Sequence, residues 1–434
     1  MEYTIPKGVF DILPKESKPE EAWRASAHWQ YAEELIRRCA ADYGFKEIRT
    51  PLFERTELFV RGVGESSDIV TKEMYTFLDK GERSMTLRPE GTASVMRAFV
   101  EKHLDQTPGL HKFFYIGPMF RYERPQSGRY RQHHQFGAEA IGIGKPEQDV
   151  ELIDLLCETY RRLGLKGLKV MINSVGDEAS RIPYREALKK HLQPHFEKLS
   201  ADSQIRFTKN ILRILDSKDE NDQTLLTKSP SILEFLSDEA RAHFEKVKRL
   251  LEIEKIPYVV NHKLVRGLDY YNKTVFEVIS ESLGAPNILG AGWTLGGGGR
   301  YDGLIHSLGG PDLPSVGFAA GIERLLQTMA AQQVNFPAPP SPVIFLIPMG
   351  EAASEACFAL LCRLRHQGIA AEMDLSGKKI QHGLQLANTE SARYSVVVGD
   401  REMETGEVEI KEMATRTSQK IVLSKLESFL KGKL

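Results

Sequence analysis

The sequence predicts an α+β chain in which a sheet-based core is interrupted by a block of helices and followed by a smaller α/β domain. Three observations predict it. Strand-like runs stand on both sides of residues 177–255, a stretch rich in charged, helix-favouring residues with apolar positions such as Ile232, Leu233, Phe235 and Leu236. Two runs, 113–123 and 132–142, flank a basic loop and read as an antiparallel hairpin. After VNFPAPPSP (334–342), whose prolines favour an extended linker, strand and helix patterns alternate. The expected domains are 1–176 and 256–333 as two parts of one core, 177–255 as the insertion, 334–342 as the linker and 343–434 as the α/β domain.

In chain order, Ala32, Leu35, Ile36, Cys39 and Tyr43 fall at helical spacing, and Gly44 stands where a helix can end. FKEIRTPLFE, around Pro51, predicts a strand broken or bent by proline and so confined to an edge or interface. TLRPEGT (86–92) runs into a helix with Val95, Met96, Phe99 and Val100 on its apolar face, and Thr92 is the expected N-cap. Ile153, Leu156, Cys157 and Tyr160 form the stripe of a helix over 150–163 that ends at Gly164. Strands are expected over 258–265, 275–279 and 293–299, then a helix over 321–329. Beyond the linker, a strand (343–348), a helix (352–367), a strand, a helix and a strand (394–398) predict a largely parallel sheet.

Composition limits the function classes. Apolar residues at 41% and charged residues at 27% are the balance of a soluble globular chain. The longest apolar run, of the VIFLI kind at 343–347, is far short of the ~20 residues of a membrane-spanning helix. MEYTIPKGVF lacks the apolar region of a secretory signal, so a cytoplasmic location and no membrane partner are expected. Cys39, Cys157, Cys357 and Cys362 are scattered without CxxC spacing, which predicts neither a disulfide framework nor a metal site. A net charge of −1 announces no polyanionic partner, so any RNA binding must rest on local patches.

The glycine run 296–299 is not a Walker A loop, because no GxxxxGK[ST] occurs: Gly137 and Gly142 have the spacing, but Ile143 stands where lysine is needed. Neither a strand-linked GxGxxG nor an HExxH is present, and the adjacent His133 and His134 would face opposite sides of a strand.

Strand alternation puts Arg121 and Glu123 of FRYE on one face, where a solvated ion pair is the simplest explanation. On the return strand Gln135, Gly137 and Glu139 share a face and Ala138 and Ala140 the other, a polar row in which glycine leaves room for a ligand. Helix capping accounts for Thr92 but not for Glu90. RGLDYYN (266–272) could be a turn, yet adjacent tyrosines beside a cation suit a polar pocket better. GGGGRYDGL (296–304) reads as a strand turning tightly where side chains would clash with a ligand. GFAAGIERL (317–325) reads as a strand entering a helix, with Arg324 in its first turns; alone it is a surface arginine, beside a helix start it suits a phosphate.

In this order the segments resemble the three motifs of class II aminoacyl-tRNA synthetases: the proline-containing strand at Pro51, FRxE with its hairpin, and GxxxGxERL. RGLDYY, GGRYDGL and TLRPEGT resemble the signatures of the histidine enzymes among them, and the match runs almost end to end. The resemblance implies a six-stranded antiparallel catalytic sheet flanked by helices, a helical insertion before RGLDYY, a C-terminal anticodon-binding α/β domain, and a homodimer formed through the Pro51 segment. It implies activation of L-histidine by ATP with Mg2+, and transfer of histidine to tRNA(His), with no tightly bound metal. By resemblance Arg121 and Arg266 are catalytic, gripping the α-phosphate from two sides. Glu90, Gly91, Thr92, Gln135, Glu139, Tyr270 and Tyr271 hold histidine, with Glu139 and Tyr271 addressing the imidazole. Arg121, Glu123, His133, Arg266 and Arg324 bind ATP, and Arg124, Gln126, Arg129 and Arg131 guide the acceptor end of the tRNA. One departure is His133, where the family usually places a phenylalanine on the adenine; imidazole stacks with less buried surface. The rival reading is the histidine-sensing regulatory subunit of ATP phosphoribosyltransferase, which usually lacks the last domain and the catalytic residues, whereas Glu90, Arg121, Arg266 and Arg324 are all present here.

Overall fold

A computed structural model describes residues 3–65, 67–124, 128–281 and 293–433. The chain forms two compact units, Met1–Phe336 and Pro337–Leu434. No helix among the described residues is long and apolar enough to cross a membrane.

The first unit contains the strands β1 (Lys46–Glu47), β2 (Phe53–Arg55), β3 (Tyr75–Leu78), β4 (Ser84–Leu87), β5 (His111–Phe120), β6 (Gln132–Ile141), β7 (Leu168–Ser174), β8 (Tyr258–Val260), β9 (Asn272–Ser280), β10 (Trp293–Arg300) and β11 (Ser315–Gly321). Eight of them form a sheet in the order β1-β5-β6-β11-β10-β9-β7-β8. The six central strands are all antiparallel, as the resemblance implied, and a short parallel strand is added at each edge. The remaining three make a small antiparallel sheet, β2-β4-β3. Pro51 lies between β1 and β2 and marks the point where the chain leaves one sheet for the other, because it has no N–H to continue a ladder.

Helices α1 (Ser26–Asp42), α2 (Thr56–Val63), α3 (Thr92–Glu101) and α4 (Pro146–Arg162) precede the insertion. α1 and α4 end just before Gly44 and Gly164, whose positive φ of +77° and +83° lets the chain reverse where other residues would be strained. In the insertion, α5 (Glu178–Leu192), α6 (Ala201–Lys209), α7 (Glu220–Leu226) and the start of α8 (Asp238–Ile253) enclose a separate small core that includes Tyr184, Leu188, Leu192, Ile214 and Leu226. Phe244, Val247 and Leu251 of α8 belong instead to the main core, so one helix spans both. The short α9 (Leu304–Ser307) lies between β10 and β11, and α10 (Ile322–Ala331) follows β11. Apolar residues of α1, α4, α8 and α10 cover one face of the large sheet, burying Phe136, Ala138, Ala140, Phe276, Val278 and Phe318. The other face is left for the polar row of β6.

Two strand expectations change. The run 258–265 stops at Val260, because Asn261 turns the chain: its Oδ1 accepts the Lys263 N–H and its carbonyl accepts that of Leu264. The first hairpin strand ends at Phe120, not at 123.

In the second unit β12 (Ile344–Pro348), β13 (Ala371–Met373) and β14 (Tyr394–Val398) are parallel, joined by α11 (Glu351–His366) and α12 (Ile380–Thr389). The expected parallel sheet is extended by an antiparallel pair, β15 (Glu407–Glu412) and β16 (Ser418–Val422).

Where β10 ends, Arg300 is fully buried against the equally buried Asp149 at the start of α4, and His243 of α8 bonds the same carboxylate at 3.2 Å. Removing one partner of such a pair strands a charge in the core. Asp149→Ala should therefore cost about 3 kcal/mol or more, read as a lower melting temperature or loss of soluble protein; an unchanged melting curve would show that Asp302, 3.1 Å from Arg300, suffices.

Candidate active site

A cleft of about 590 Å³ opens on the uncovered face of the large sheet. Its lining includes Glu90, Thr92, Arg121, Glu123, Arg129, His133, Gln135, Arg266, Tyr270, Tyr271 and Arg324. These residues come from the loop between β5 and β6, from β6 itself, the segment leading into α3 and its first residue, the segment before β9 and the start of α10, and the sheet brings them together.

The register explains the floor. Gly137 pairs with Tyr115 across the hairpin and with Ala319 on the other side. A Cβ on Gly137 would lie 2.4 Å from the Tyr115 ring, and one on Gly91 would meet the same ring from another direction at 2.4 Å. Both glycines are therefore required by the aromatic ring, and Gly91 backs the cleft without lining it.

Glu139 is fully buried and does not line the cleft either. Its Oε1 accepts from the Thr92 hydroxyl at 2.7 Å and from Tyr115 at 3.4 Å, and its Oε2 accepts from Tyr301. A Cβ at Gly317 would fall 1.8 Å from Oε2, so β11 must present glycine there. Burial pushes the Glu139 carboxyl up to about 8, with the Tyr301 and Thr92 hydroxyls opposing and the charge of Glu90 adding to the rise.

Glu90, and not Thr92, caps α3. Its carboxylate accepts the Thr92 and Ala93 N–H groups at 2.7 and 2.9 Å, while Gly91 occupies the cap position and Thr92 is the first helical residue. A carboxylate satisfies two orphan donors and complements the positive helix end. The Thr92 hydroxyl is thereby released to donate to Glu139. Burial also raises the Glu90 carboxyl, against the pull of the Ala93 and Thr92 N–H groups and Arg121.

Arg121 and Glu123 share a side through a turn and not through strand alternation. Beyond Phe120 the Glu123 N–H bonds back to the Arg121 carbonyl at 2.8 Å, and the two charges lie 3.9 Å apart. Arg121 Nε donates to the Pro89 carbonyl at 2.8 Å. Arg324 donates to the carbonyls of Gly128 and Thr294 at 3.1 and 2.9 Å. Arg266 bonds Glu277, and its guanidinium rests on Gly297, where a Cβ would lie 2.8 Å from it. Arg266 Nε and Gln135 Oε1 are buried polar atoms without a hydrogen-bond partner among the described residues. Tyr270 and Tyr271 pack ring to ring at 4.7 Å, and Tyr270 meets Tyr301 edge-on. His133 is held down to about 3, by burial first and then by Arg121, His134 and Arg324, so its ring is neutral at working pH. His134 faces away, donating its N–H to Glu323 at 2.8 Å.

Of the four loop residues, Arg129 reaches the cleft and lies 3.4 Å from Glu123. Arg124 is exposed, Arg131 sits 4.0 Å over the Tyr122 ring, and Gln126 lies outside the described residues. Sequence reasoning missed Tyr115, Tyr301 and Glu277. Tyr301 stands two residues after the glycine run, Tyr115 is the partner of Gly137 once the hairpin register is written out, and Glu277 is an isolated charge in the apolar run TVFEVI.

A family model described as histidyl-tRNA synthetase matches residues 8–325, and one described as an anticodon binding domain matches 343–433. The chain belongs to the histidyl-tRNA synthetase family. It is 56% identical to a histidine–tRNA ligase of Protochlamydia amoebophila, with 100% of each chain covered. It is 46% identical to that of Anoxybacillus flavithermus, with 99% of each covered. Among solved structures, the apo histidyl-tRNA synthetase of S. aureus superposes with a TM-score of 0.83 at 40% identity, over 99% of this chain and 100% of that one.

The Glu139 environment has a consequence for stability. A carboxyl whose folded value exceeds its ordinary 4.5 favours the folded state fully at low pH, and that contribution is lost as pH rises through about 8. Glu139→Gln does not titrate, so its melting temperature in the absence of substrates should gain on that of the natural protein between about pH 5 and about pH 8. Parallel melting curves across that window would contradict the assignment.

Proposed function

We propose that the protein is a histidine–tRNA ligase, which converts L-histidine and ATP to histidyl-adenylate and pyrophosphate and then transfers histidine to the terminal ribose of tRNA(His). The observation that carries this reading is one cleft lined by Glu90, Thr92, Gln135 and two tyrosines together with Arg121, Arg266 and Arg324. Full-length relatives named as histidine–tRNA ligases support it. The regulatory-subunit reading lacks such support, and residues 343–433 match an anticodon binding domain.

In this reading Glu90 receives the ammonium of histidine, with Gln135 Oε1 as a further acceptor beside it. The imidazole enters beside Tyr271, and Tyr270 lines the same pocket. Its ring N–H reaches Glu139 by replacing one of the hydroxyls that the carboxylate accepts, and Tyr271 addresses the other nitrogen. Arg121 and Arg266 flank the α-phosphate as the histidine carboxylate attacks it. Charge that grows on the equatorial oxygens meets guanidiniums already fixed by Pro89 and by Glu277. ATP enters as its Mg2+ complex, Arg324 holds its γ-phosphate and adenine region, and the neutral His133 ring stacks on the base. Glu123 and Arg129 complete the phosphate side, and Arg124, Gln126, Arg129 and Arg131 guide the tRNA acceptor end. The α/β unit reads the anticodon, and the setting is the cytoplasm.

We assign the homodimer surface to the small sheet and the Pro51 segment. Phe53 and Phe77 are 51% and 44% exposed there with their rings 6.3 Å apart, and Leu52 and Leu78 are exposed beside them in sequence.

Histidine-dependent exchange of pyrophosphate with ATP, followed by charging of tRNA(His), tests the function; histidine binding without exchange would favour the regulatory subunit. Arg266→His should mainly lower kcat, by about 10² or more, and Tyr271→Phe should mainly raise KM for histidine, by about tenfold. Loss of the same constant in both variants would refute the division of roles. His133→Phe should leave KM for ATP unchanged or lower; a large rise would refute stacking.

A further inference from the structure

We propose that Arg88 is a positioning residue for this reaction, acting through Glu90 and Arg121 at the seam between the two sheets; the proposal rests on the ligase reading above. Arg88 follows β4 directly and is only 6% exposed, and it does not line the cleft. Its main chain ties both sheets together: the N–H donates to the Leu52 carbonyl on the small-sheet side, and the carbonyl accepts from Phe120 at the end of β5, each at 2.9 Å. Its side chain repeats the tie. Nε donates to the Pro118 carbonyl at 2.9 Å, and one terminal nitrogen donates to both the carbonyl and the hydroxyl of Thr50 at 3.1 Å.

What hangs from this bracket is the chemistry. The next residue, Pro89, supplies the carbonyl that holds Arg121 Nε. The one after it, Glu90, supplies the carboxylate assigned to the ammonium. Both groups are therefore placed by the position of residue 88, and Phe120, bonded to its carbonyl, precedes Arg121.

A filler at this seam would be apolar, because a buried cation is costly unless it is paired. Among the described residues Arg88 forms no ion pair; its hydrogen bonds are to carbonyls and a hydroxyl. Glu54 and Glu90 are the carboxylates whose charge reaches it. The planar guanidinium fork spans acceptors on two separate segments at once, Pro118 in β5 and Thr50 in the connection from β1 to β2. The fold also makes space for it: a Cβ on Gly117 would lie 2.5 Å from its second terminal nitrogen and within 4 Å of no other residue.

The test uses the full-length chain, the pyrophosphate exchange assay and titration of active sites by the burst of adenylate formation. The variants are Arg88→Lys, which keeps the charge but not the fork, Gly117→Ala, which keeps the fork but crowds it, and their combination. Each single variant should lower kcat per titrated site by about tenfold or more and raise KM for histidine, leaving KM for ATP within about twofold. The double variant should lose no more than the worse single one, because both act on one bracket. Unchanged kcat per site and KM, with only a lower melting temperature or fewer active sites, would overturn the positioning role and leave the ligase reading intact. Additive losses would overturn the link between Arg88 and Gly117. Where Arg88→Lys fails to fold, Gly117→Ala gives the same reading. Absence of histidine-dependent exchange in the natural protein would remove the ligase reading first and this proposal with it.

Discussion

The larger unit depends on strict alternation along β6. Phe136, Ala138 and Ala140 enter the core beneath α1, α4 and α10, so Gln135, Gly137 and Glu139 must face the other way. A slip of one residue in the pairing with β5 or β11 would bring Glu139 into apolar surroundings and turn Phe136 toward the cleft. The neighbours hold the register because their own needs are met at the same positions. Gly317 stands opposite Glu139, and Tyr115 stands opposite Gly137. Side-chain volume on one strand is matched to its absence on the next, which gives a polar pocket with a rigid floor.

The same sheet sets the electrostatics of the cleft. Arg121 and Arg324 are anchored by main-chain carbonyls, which fix the guanidinium without cancelling its charge. Arg266 has a carboxylate partner and is the better neutralised of the three. Burial then decides which titratable groups carry charge. It keeps His133 neutral between two arginines and raises the Glu139 carboxyl among hydroxyl donors. Donors fixed in this way need little reorganisation to meet an anion.

Much of this was legible in the sequence. Periodicity located the helices ending at Gly44 and Gly164 and the hairpin, composition the run of helices between β7 and β8, and proline chemistry the break at Pro51. RGLDYYN was legible as part of a polar pocket because its chemistry is too dense for a turn, and Arg266, Tyr270 and Tyr271 do line the cleft. What escaped depends on distant pairing. Thr92 reads as a cap because capping is a local pattern, but its hydroxyl is claimed by Glu139, 47 positions away. Tyr115 and Tyr301 look like ordinary strand and turn aromatics until the sheet order brings them to one carboxylate. Arg121 and Glu123 met as expected but by a different route, since alternation is a property of a strand and the strand had ended. The pair β15 and β16 went unread: β15 does alternate, with Val408 and Ile410 buried, but the edge strand β16 that completes the hairpin carries little hydrophobic contrast.

The glycines that carry the floor also limit how the pocket could be re-shaped. Gly91, Gly137 and Gly317 already lie within contact distance of Tyr115, Glu139 or Tyr301, so none can accept a methyl group without displacing what it touches. Added volume at this floor would have to come from shrinking the Tyr115 ring, on which Gly91 and Gly137 converge. That change would free volume at two positions at once and remove one hydroxyl from Glu139, so pocket size and the polarity of its buried end are linked and cannot be tuned independently in an engineered variant.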